Sequence, residues 1–175
     1  MDEWELLQRS IEAKKKFGAN STKYSGSVTV ELFKQAFDVE GIRTSPRDVF
    51  IRGVPIEIDL LIPRQNVAPL YGVLYEPKDV FGVLEVKNRG VFGENALMRI
   101  HNNFLRILES NAEIYCAYVT LVEQEGYKWA ATERNLGFPV YTLFWQSGTG
   151  KNAKYNATGA WRELISDIKK ILADR

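Results

Sequence analysis

The feature that most constrains the fold is a nearly continuous apolar run from Val80 to Val86. A strand that is apolar on both faces is buried on both faces, so its sheet needs a covering layer on each side. The runs Ile114–Val122 and Val140–Trp145 have the same character. The sequence therefore predicts an α/β protein with a central sheet enclosed by helices.

Four segments repeat apolar residues at helical spacing and are predicted to be helices: 2–17, 28–38, about 95–110 and 160–172. Lys14 to Lys16 close the first of them, where cations suit the helix dipole. The polar stretch Asn20–Gly26 is interpreted as a turn, and Ser25 or Ser27 as the N-cap of the second helix.

A hairpin is predicted between the second and third helices. Asp48–Ile51 and Val54–Ile62 are its strands, Arg52-Gly53 is the tight turn and Pro63 ends the second strand. The excursion that follows, up to Asp79, contains at most a short strand within Leu70–Tyr75.

Asn88-Arg89-Gly90 is expected to break the strand that begins at Val80. The element order is then α, α, β, β, β, α, β, β, α, which predicts a mixed sheet with helices packed on it.

Composition narrows the class of protein. The chain has 175 residues, 45% hydrophobic and 26% charged, with a net charge of +1, so we expect one globular domain over 1–175 with its core at about 28–145. No stretch approaches the ~20 apolar residues of a membrane helix, and the acidic start Met1–Glu5 differs from a secretory signal, so no membrane contact and a cytoplasmic location are expected. A single cysteine and a single histidine exclude an internal disulfide and a Cys/His zinc cluster.

Acidic residues occur in two of the predicted strands. In Val54–Ile62 the apolar side chains alternate with Glu57 and Asp59, which therefore point to the opposite face. In the next strand Glu85 and Lys87 share one face while Leu84 and Val86 share the other. A sheet that places Asp59 beside Glu85 and Lys87 forms a cluster of two carboxylates and one ammonium.

Such a cluster suits metal-assisted hydrolysis. A charge inside a sheet costs several kcal/mol unless it is paired or ligates a metal. Two close carboxylates repel, and a hard cation such as Mg²⁺, which prefers oxygen ligands, relieves that repulsion. A bound divalent cation lowers the pKa of its water and neutralises charge on a phosphoryl group, while a neighbouring lysine can orient the water or stabilise an oxyanion.

The pattern Glu-x-Lys alone is weak, because this sequence contains it three times, at Glu12–Lys14, Glu76–Lys78 and Glu85–Lys87. The first lies in a charged helix and the second in a proline-containing loop. Only the third ends an apolar strand, follows a strand that bears acids and precedes an amphipathic helix.

In this arrangement the chain resembles the PD-(D/E)xK, or restriction-endonuclease-like, nuclease superfamily over about residues 28–122. The resemblance implies an αβββαβ core with a central mixed sheet, to which this chain adds N- and C-terminal helices. It also implies that Asp59 and Glu85 hold the metal beside a backbone carbonyl near Val86, and that Lys87 is the catalytic lysine. Glu31 is the best match for a further catalytic glutamate on the preceding helix, with Glu40 in reserve.

Two departures from the family pattern stand out. Ile58 precedes Asp59 where the family name has proline, although many members lack that proline. The excursion from Pro63 to Asp79 is longer than in compact members and can serve DNA reading, a dimer contact or neither.

Candidate nucleic-acid contacts surround the motif. Asn88 and Arg89 follow Lys87 directly, and Arg99 lies on the polar side of the next helix, which is either a phosphate-contacting or a solvated face. Lys151 lies in a glycine-rich stretch that invites comparison with a phosphate loop. That stretch fails the pattern, because Trp145 and Asn152 stand at required positions, so no nucleotide cofactor is expected.

The sequence thus favours an Mg²⁺-dependent DNA endonuclease, with Mn²⁺ as a substitute ion. A homodimer is expected by family analogy, because cutting two strands needs two sites. A junction resolvase or repair nuclease on the same fold remains an alternative. So does a nucleic-acid-binding or assembly module that keeps the fold without cutting.

Overall fold

The computed structural model describes residues 1–17, 22–46, 48–64, 67–90, 93–127 and 137–173. Within these residues the α-helices are α1 (Glu3–Phe17), α2 (Thr22–Val39), α3 (Glu94–Ser110) and α4 (Ala160–Ala173). The strands within the same residues are β1 (Val49–Ile51), β2 (Val54–Ile58), β3 (Leu60–Pro63), β4 (Leu74–Tyr75), β5 (Val80–Arg89), β6 (Tyr115–Gln124), β7 (Val140–Ser147) and β8 (Lys154–Ala157). Among the described residues, no helix is both long enough and apolar enough to cross a membrane.

The strands form two mixed sheets. The larger sheet has the order β3-β5-β6-β7-β8, in which β5, β6 and β7 are parallel and the outer strands β3 and β8 are antiparallel to their neighbours. The smaller sheet has the order β2-β1-β4, with β1 antiparallel to β2 and parallel to β4.

The larger sheet separates two hydrophobic cores. Helices α1, α2 and α4 cover one face, where Phe33, Leu84 and Trp161 belong to the first core. Helix α3 and the smaller sheet cover the other face, where Val83 and Phe104 belong to the second core. Strand β5 contributes to both cores, which explains why its sequence is apolar on both faces.

The edges of the larger sheet differ in character. At β3, Leu61 O accepts a hydrogen bond from Ser45 N at 2.8 Å, and the strand ends at Pro63. At the opposite edge, β8 is polar and largely exposed, with Lys154 at its start.

The fold class expected from the sequence is confirmed, and three of the four helices have nearly the predicted bounds. The prediction was wrong at the start of α2, which begins at Thr22 rather than at residue 28, so Thr22–Gly26 is helical and neither Ser25 nor Ser27 is the N-cap. The first two residues of the predicted turn, Asn20 and Ser21, lie outside the described residues. Helix α2 packs along α1, and such tertiary contacts override the low helix propensity of serine, threonine and glycine.

The predicted strand Val54–Ile62 is in fact two strands, because the chain bends at Asp59. Ile58 enters the second core, whereas Leu60 and Ile62 enter the first, so the expected single apolar face is wrong. The hairpin of β1 and β2 consequently forms its own sheet with β4, which lies within the predicted segment Leu70–Tyr75.

Two other strand predictions need correction. Strand β5 does not break at Asn88 but continues to Arg89, because Arg89 still pairs with Val122 of β6. Strand β8 was not predicted, since an edge strand exposed to solvent lacks the apolar alternation that reveals buried strands.

We expect Leu84→Ala to lower the free energy of unfolding by about 2–5 kcal/mol, because Leu84 is fully buried in the first core. Leu105 offers a matched control, since it is 42% exposed on α3, and Leu105→Ala should cost less than about 1 kcal/mol. Urea unfolding monitored by circular dichroism measures both. Equal losses in the two variants would contradict this assignment of the core.

Candidate active site

The bend at Asp59 places its carboxylate beside strand β5. Leu60 pairs with Leu84 and Leu61 with Val83, so the antiparallel register places Asp59 opposite Glu85. Asp59 Oδ2 accepts a hydrogen bond from the Val86 backbone N–H at 3.3 Å. The aspartate is thus attached to β5 through its side chain, although its backbone belongs to neither flanking strand.

Strand alternation brings Glu85 and Lys87 to the same face as Asp59. The Lys87 Nζ atom lies 3.0 Å from Asp59 Oδ2 and 2.6 Å from Glu85 Oε1. The side chains of Asp59, Glu85 and Lys87 retain exposed fractions of 30%, 22% and 30%. The three side chains therefore converge in a half-buried cluster that remains accessible from solvent.

The electrostatics of the cluster are those of two competing acids that share one cation. Burial raises the pKa of Glu85 above its ordinary value, and the Asp59 carboxylate raises it further, while Lys87 and Arg99 act in the opposite direction. Burial alone would lower the pKa of Lys87, but Glu85 and Asp59 outweigh it and hold that pKa above the ordinary value. Lys87 is therefore an ammonium at neutral pH.

The donor set fits a magnesium ion. Oxygen atoms of Asp59 and Glu85 approach the same nitrogen, so they lie close enough together to face one small cation. Across the described residues, no group of three or more His, Cys, Asp or Glu side chains is arranged to hold a metal. Two carboxylates are nonetheless a usual protein contribution to Mg²⁺, which keeps several waters and takes substrate phosphate oxygens as further ligands.

Glu31 is not brought into this cluster. It lies on the exposed side of α2, where its Oε2 atom is 3.4 Å from Lys34 Nζ. The predicted catalytic role of Glu31 stays a prediction, and the contact with Lys34 is the interaction that the structure gives it. Glu40, the reserve, pairs with Lys169 of α4 at 2.8 Å.

The predicted nucleic-acid contacts occupy different places. Arg99 lies close enough to influence the charge of Glu85. Asn88 points to the other face of β5, where its Oδ1 accepts a hydrogen bond from Ser10 Oγ of α1 at 3.2 Å. Arg89 and Lys151 are exposed near the far ends of β5 and β7.

Within the part of the chain that the structure describes, the other two Glu-x-Lys patterns form no comparable cluster. Glu76 pairs with Arg52 at 2.9 Å, and Lys78 is exposed in the short 3-10 turn before β5. Glu12 and Lys14 are exposed on α1. Strand context therefore distinguishes Glu85 and Lys87 from residues with the same spacing.

One buried acid was missed by the sequence analysis. Glu123 of β6 is 2% exposed, and its Oε2 accepts a hydrogen bond from Thr142 Oγ1 at 3.0 Å. A Cβ atom on Gly90 would lie 2.8 Å from Glu123 Oε1, so a larger residue there would force the Glu123 side chain to move. The available signal was an acid that directly follows the apolar residues Leu121 and Val122.

Comparison with known proteins supports the fold through structure alone, since no protein-family model and no curated protein matches the sequence. NucC of P. aeruginosa ATCC27853 in its cAAA-bound form is similar, with a TM-score of 0.63 and 11% identity over 96% of this chain and 88% of that chain. The apo form of E. coli MS115-1 NucC gives a TM-score of 0.53 and 9% identity over 97% of this chain and 92% of that chain.

These similarities define the class of fold. The chain has a mixed α/β, restriction-endonuclease-like fold, as the NucC structures do. Similarity at such low identity concerns the fold, so the roles of individual side chains rest on the geometry of the cluster itself.

We expect Lys87→Gln to lower the free energy of unfolding at pH 7 by about 1–3 kcal/mol, because it removes the ammonium that contacts both carboxylates. The expected loss is smaller than the ~3–5 kcal/mol for a fully buried pair, since the three side chains are 22–30% exposed. Urea unfolding without divalent metal measures the change, with Lys78→Gln as the matched control.

Glu85→Gln should behave in the opposite way. Because the pKa of Glu85 is raised, the fold favours its uncharged form, and a neutral isostere keeps or increases stability at pH 7. If Glu85→Gln and Lys87→Gln were destabilised equally, the description of Glu85 as the strained acid of this cluster would be wrong.

Proposed function

We propose that this protein is an Mg²⁺-dependent endonuclease that hydrolyses phosphodiester bonds of DNA, with Mn²⁺ as a substitute ion. The observation that carries the proposal is the convergence of Asp59, Glu85 and Lys87 on one half-buried face, with Lys87 Nζ within 3.0 Å of both carboxylates. The similarity in fold to NucC, an effector nuclease, supports the general class of activity.

Asp59 and Glu85 would hold the metal ion, which supplies an acidified water and neutralises charge on the scissile phosphate. The Val86 N–H fixes the orientation of Asp59 through its hydrogen bond to Oδ2. That bond leaves Asp59 Oδ1 as a further oxygen for a cation.

Lys87 acts as a charged hydrogen-bond donor. A protonated ammonium has no lone pair, so it cannot accept a proton from the attacking water. It can donate to that water or to the phosphoryl oxygens on which negative charge develops, and it thereby contributes position and charge. Arg99, close enough to act on Glu85, adds a second positive charge on the same side.

We propose DNA as the substrate and a homodimer as the active assembly. A cluster with three functional side chains cuts one strand at a time, so two protomers would place one cluster on each strand of a duplex. This step is an argument by analogy with enzymes of the same fold. A resolvase or repair nuclease would use the same cluster on a branched or damaged substrate.

Cleavage assays test the proposal directly. Supercoiled plasmid, linear duplex and branched DNA are incubated with Mg²⁺ or Mn²⁺ and the wild-type protein, Asp59→Asn or Lys87→Ala. We expect both variants to lose activity by about 10²–10³-fold or more, in the range found when one transition-state donor is removed. The relative rates on the three substrates identify the preferred DNA structure.

Lys78→Ala is the matched control, because Lys78 has the same Glu-x-Lys context in sequence but lies outside the cluster. It should cleave as the wild type does. Cleavage that survives in both site variants at the wild-type rate would rule out this cluster as the active site.

Metal binding gives a readout that is independent of cleavage. We expect millimolar Mg²⁺ or Mn²⁺ to raise the melting temperature of the wild type, because a ligand that binds only the folded state stabilises it. Asp59→Asn should abolish the rise, while Lys78→Ala should retain it. If neither metal changes the melting temperature of the wild type, the protein is instead a module that keeps the fold without binding metal.

A further inference from the structure

A second site of interest lies where β5 ends, between α1 and the turn that joins β7 to β8. The structure has a cavity of about 440 Å³ there, lined in part by Lys14, Lys15, Arg89, Gln146 and Tyr155. The cavity is separate from the cluster of Asp59, Glu85 and Lys87, none of which lines it.

The charge in this cavity is one-sided. Three of its lining residues are cations, and its lining contains no carboxylate. Lys14, Lys15 and Arg89 are exposed, and within the described part of the chain no ion pair involves any of them. Since the whole chain carries a net charge of only +1, this concentration of positive charge is local.

The position of the lysines is fixed by a polar contact across the fold. Ser10 of α1 is 6% exposed, and its Oγ donates to Asn88 Oδ1 of β5 at 3.2 Å. Lys14 follows Ser10 by about one helical turn, so it lies further along the same side of α1. The contact between Ser10 and Asn88 thereby holds the last turn of α1 beside the end of β5.

Arg89 links the cavity to the candidate active site. It lies two residues after Lys87 on the same strand, which corresponds to roughly 6.6 Å of strand length. On the other side of the cavity, Gln146 is 4% exposed and its amide donates to Gly148 O at 2.9 Å, which fixes the start of the β7–β8 turn. The cavity therefore has ordered walls, and it shares strand β5 with the cluster through Arg89.

We propose that this cavity, through Lys14, Lys15 and Arg89, binds backbone phosphates of the nucleic-acid strand that enters or leaves the Asp59–Glu85–Lys87 cluster. The inference rests on the proposed function for the identity of the strand. Cations that contact phosphates fix the register of a nucleic acid without selecting its sequence. The cavity is thus a positioning site for the substrate strand.

Binding without cleavage tests the inference. Fluorescence anisotropy of a labelled DNA oligonucleotide, in EDTA, compares the wild type with Lys14→Gln/Lys15→Gln. Each lost phosphate contact reduces the salt slope of log K by about 0.7–0.9, so the double variant should lose about 1.4–1.8 of slope and bind at least ~10-fold more weakly near 0.1 M salt. Arg89→Gln should lose about half that slope.

Lys78→Gln/Lys170→Gln is the matched control, since it removes the same charge from two exposed lysines outside the cavity. It should bind DNA nearly as the wild type does. Equal affinity and equal salt slope in the two double variants would overturn the inference. A second outcome would also overturn it. If inorganic phosphate raises the melting temperature only when Lys14 and Lys15 are present, but DNA affinity does not depend on them, the cavity is a site for a free anion.

The two proposals fail in distinguishable ways. If Asp59→Asn abolishes cleavage while Lys14→Gln/Lys15→Gln binds DNA like its control, the nuclease function is supported and the positioning site is wrong. If Lys14→Gln/Lys15→Gln loses affinity for DNA but neither the wild type nor any variant shows metal-dependent cleavage, the cavity is a DNA-binding site and the nuclease function is wrong.

Discussion

The carboxylate of Asp59 lies where the chain passes from one sheet to the other. Its neighbours Ile58 and Leu60 enter different cores, while Asp59 itself is held by the Val86 N–H and by Lys87 of β5. The cluster and the junction of the two sheets are consequently one structural feature. Packing of both cores fixes the backbone on either side of Asp59, and this is how a half-buried acid is kept beside another acid.

Holding these charges together has an energetic cost that the hydrophobic cores offset. Burial raises the pKa of Glu85, and the Asp59 carboxylate that shares Lys87 with it raises that pKa further. Sites that bind metals and phosphates often carry such destabilised groups, because the ligand supplies the missing charge. Buried residues on both faces of β5, such as Leu84 and Val83, stabilise the fold and offset the cost of holding the two carboxylates together.

Much of the fold followed from local patterns. Apolar runs revealed the strands β5, β6 and β7, and helical spacing revealed α1, α3 and α4, because these elements bury a continuous face or stripe. Strand alternation also placed Glu85 and Lys87 together. The split at Asp59 was not predictable, since an apolar segment such as Val54–Ile62 does not show which of two cores receives each side chain. Only the three-dimensional packing decides that.

Contacts between distant segments were equally hidden. Nothing in the sequence relates Ser10 to Asn88, or the lysines at the end of α1 to the β7–β8 turn, because those contacts depend on how α1 crosses the sheet. The role that the family resemblance implies for Glu31 stays a prediction. Its contact with Lys34 on α2 was not predicted from the sequence.

The two edges of the larger sheet limit how copies of this chain can associate. Strand β3 gives its Leu61 carbonyl to Ser45 and ends in a proline that has no N–H to donate, and β8 begins with a lysine. Such edges discourage the growth of a sheet from one molecule into the next, the route by which exposed strands lead to aggregation. Pairing of two copies through either of these two edges into continuous β-structure is therefore disfavoured.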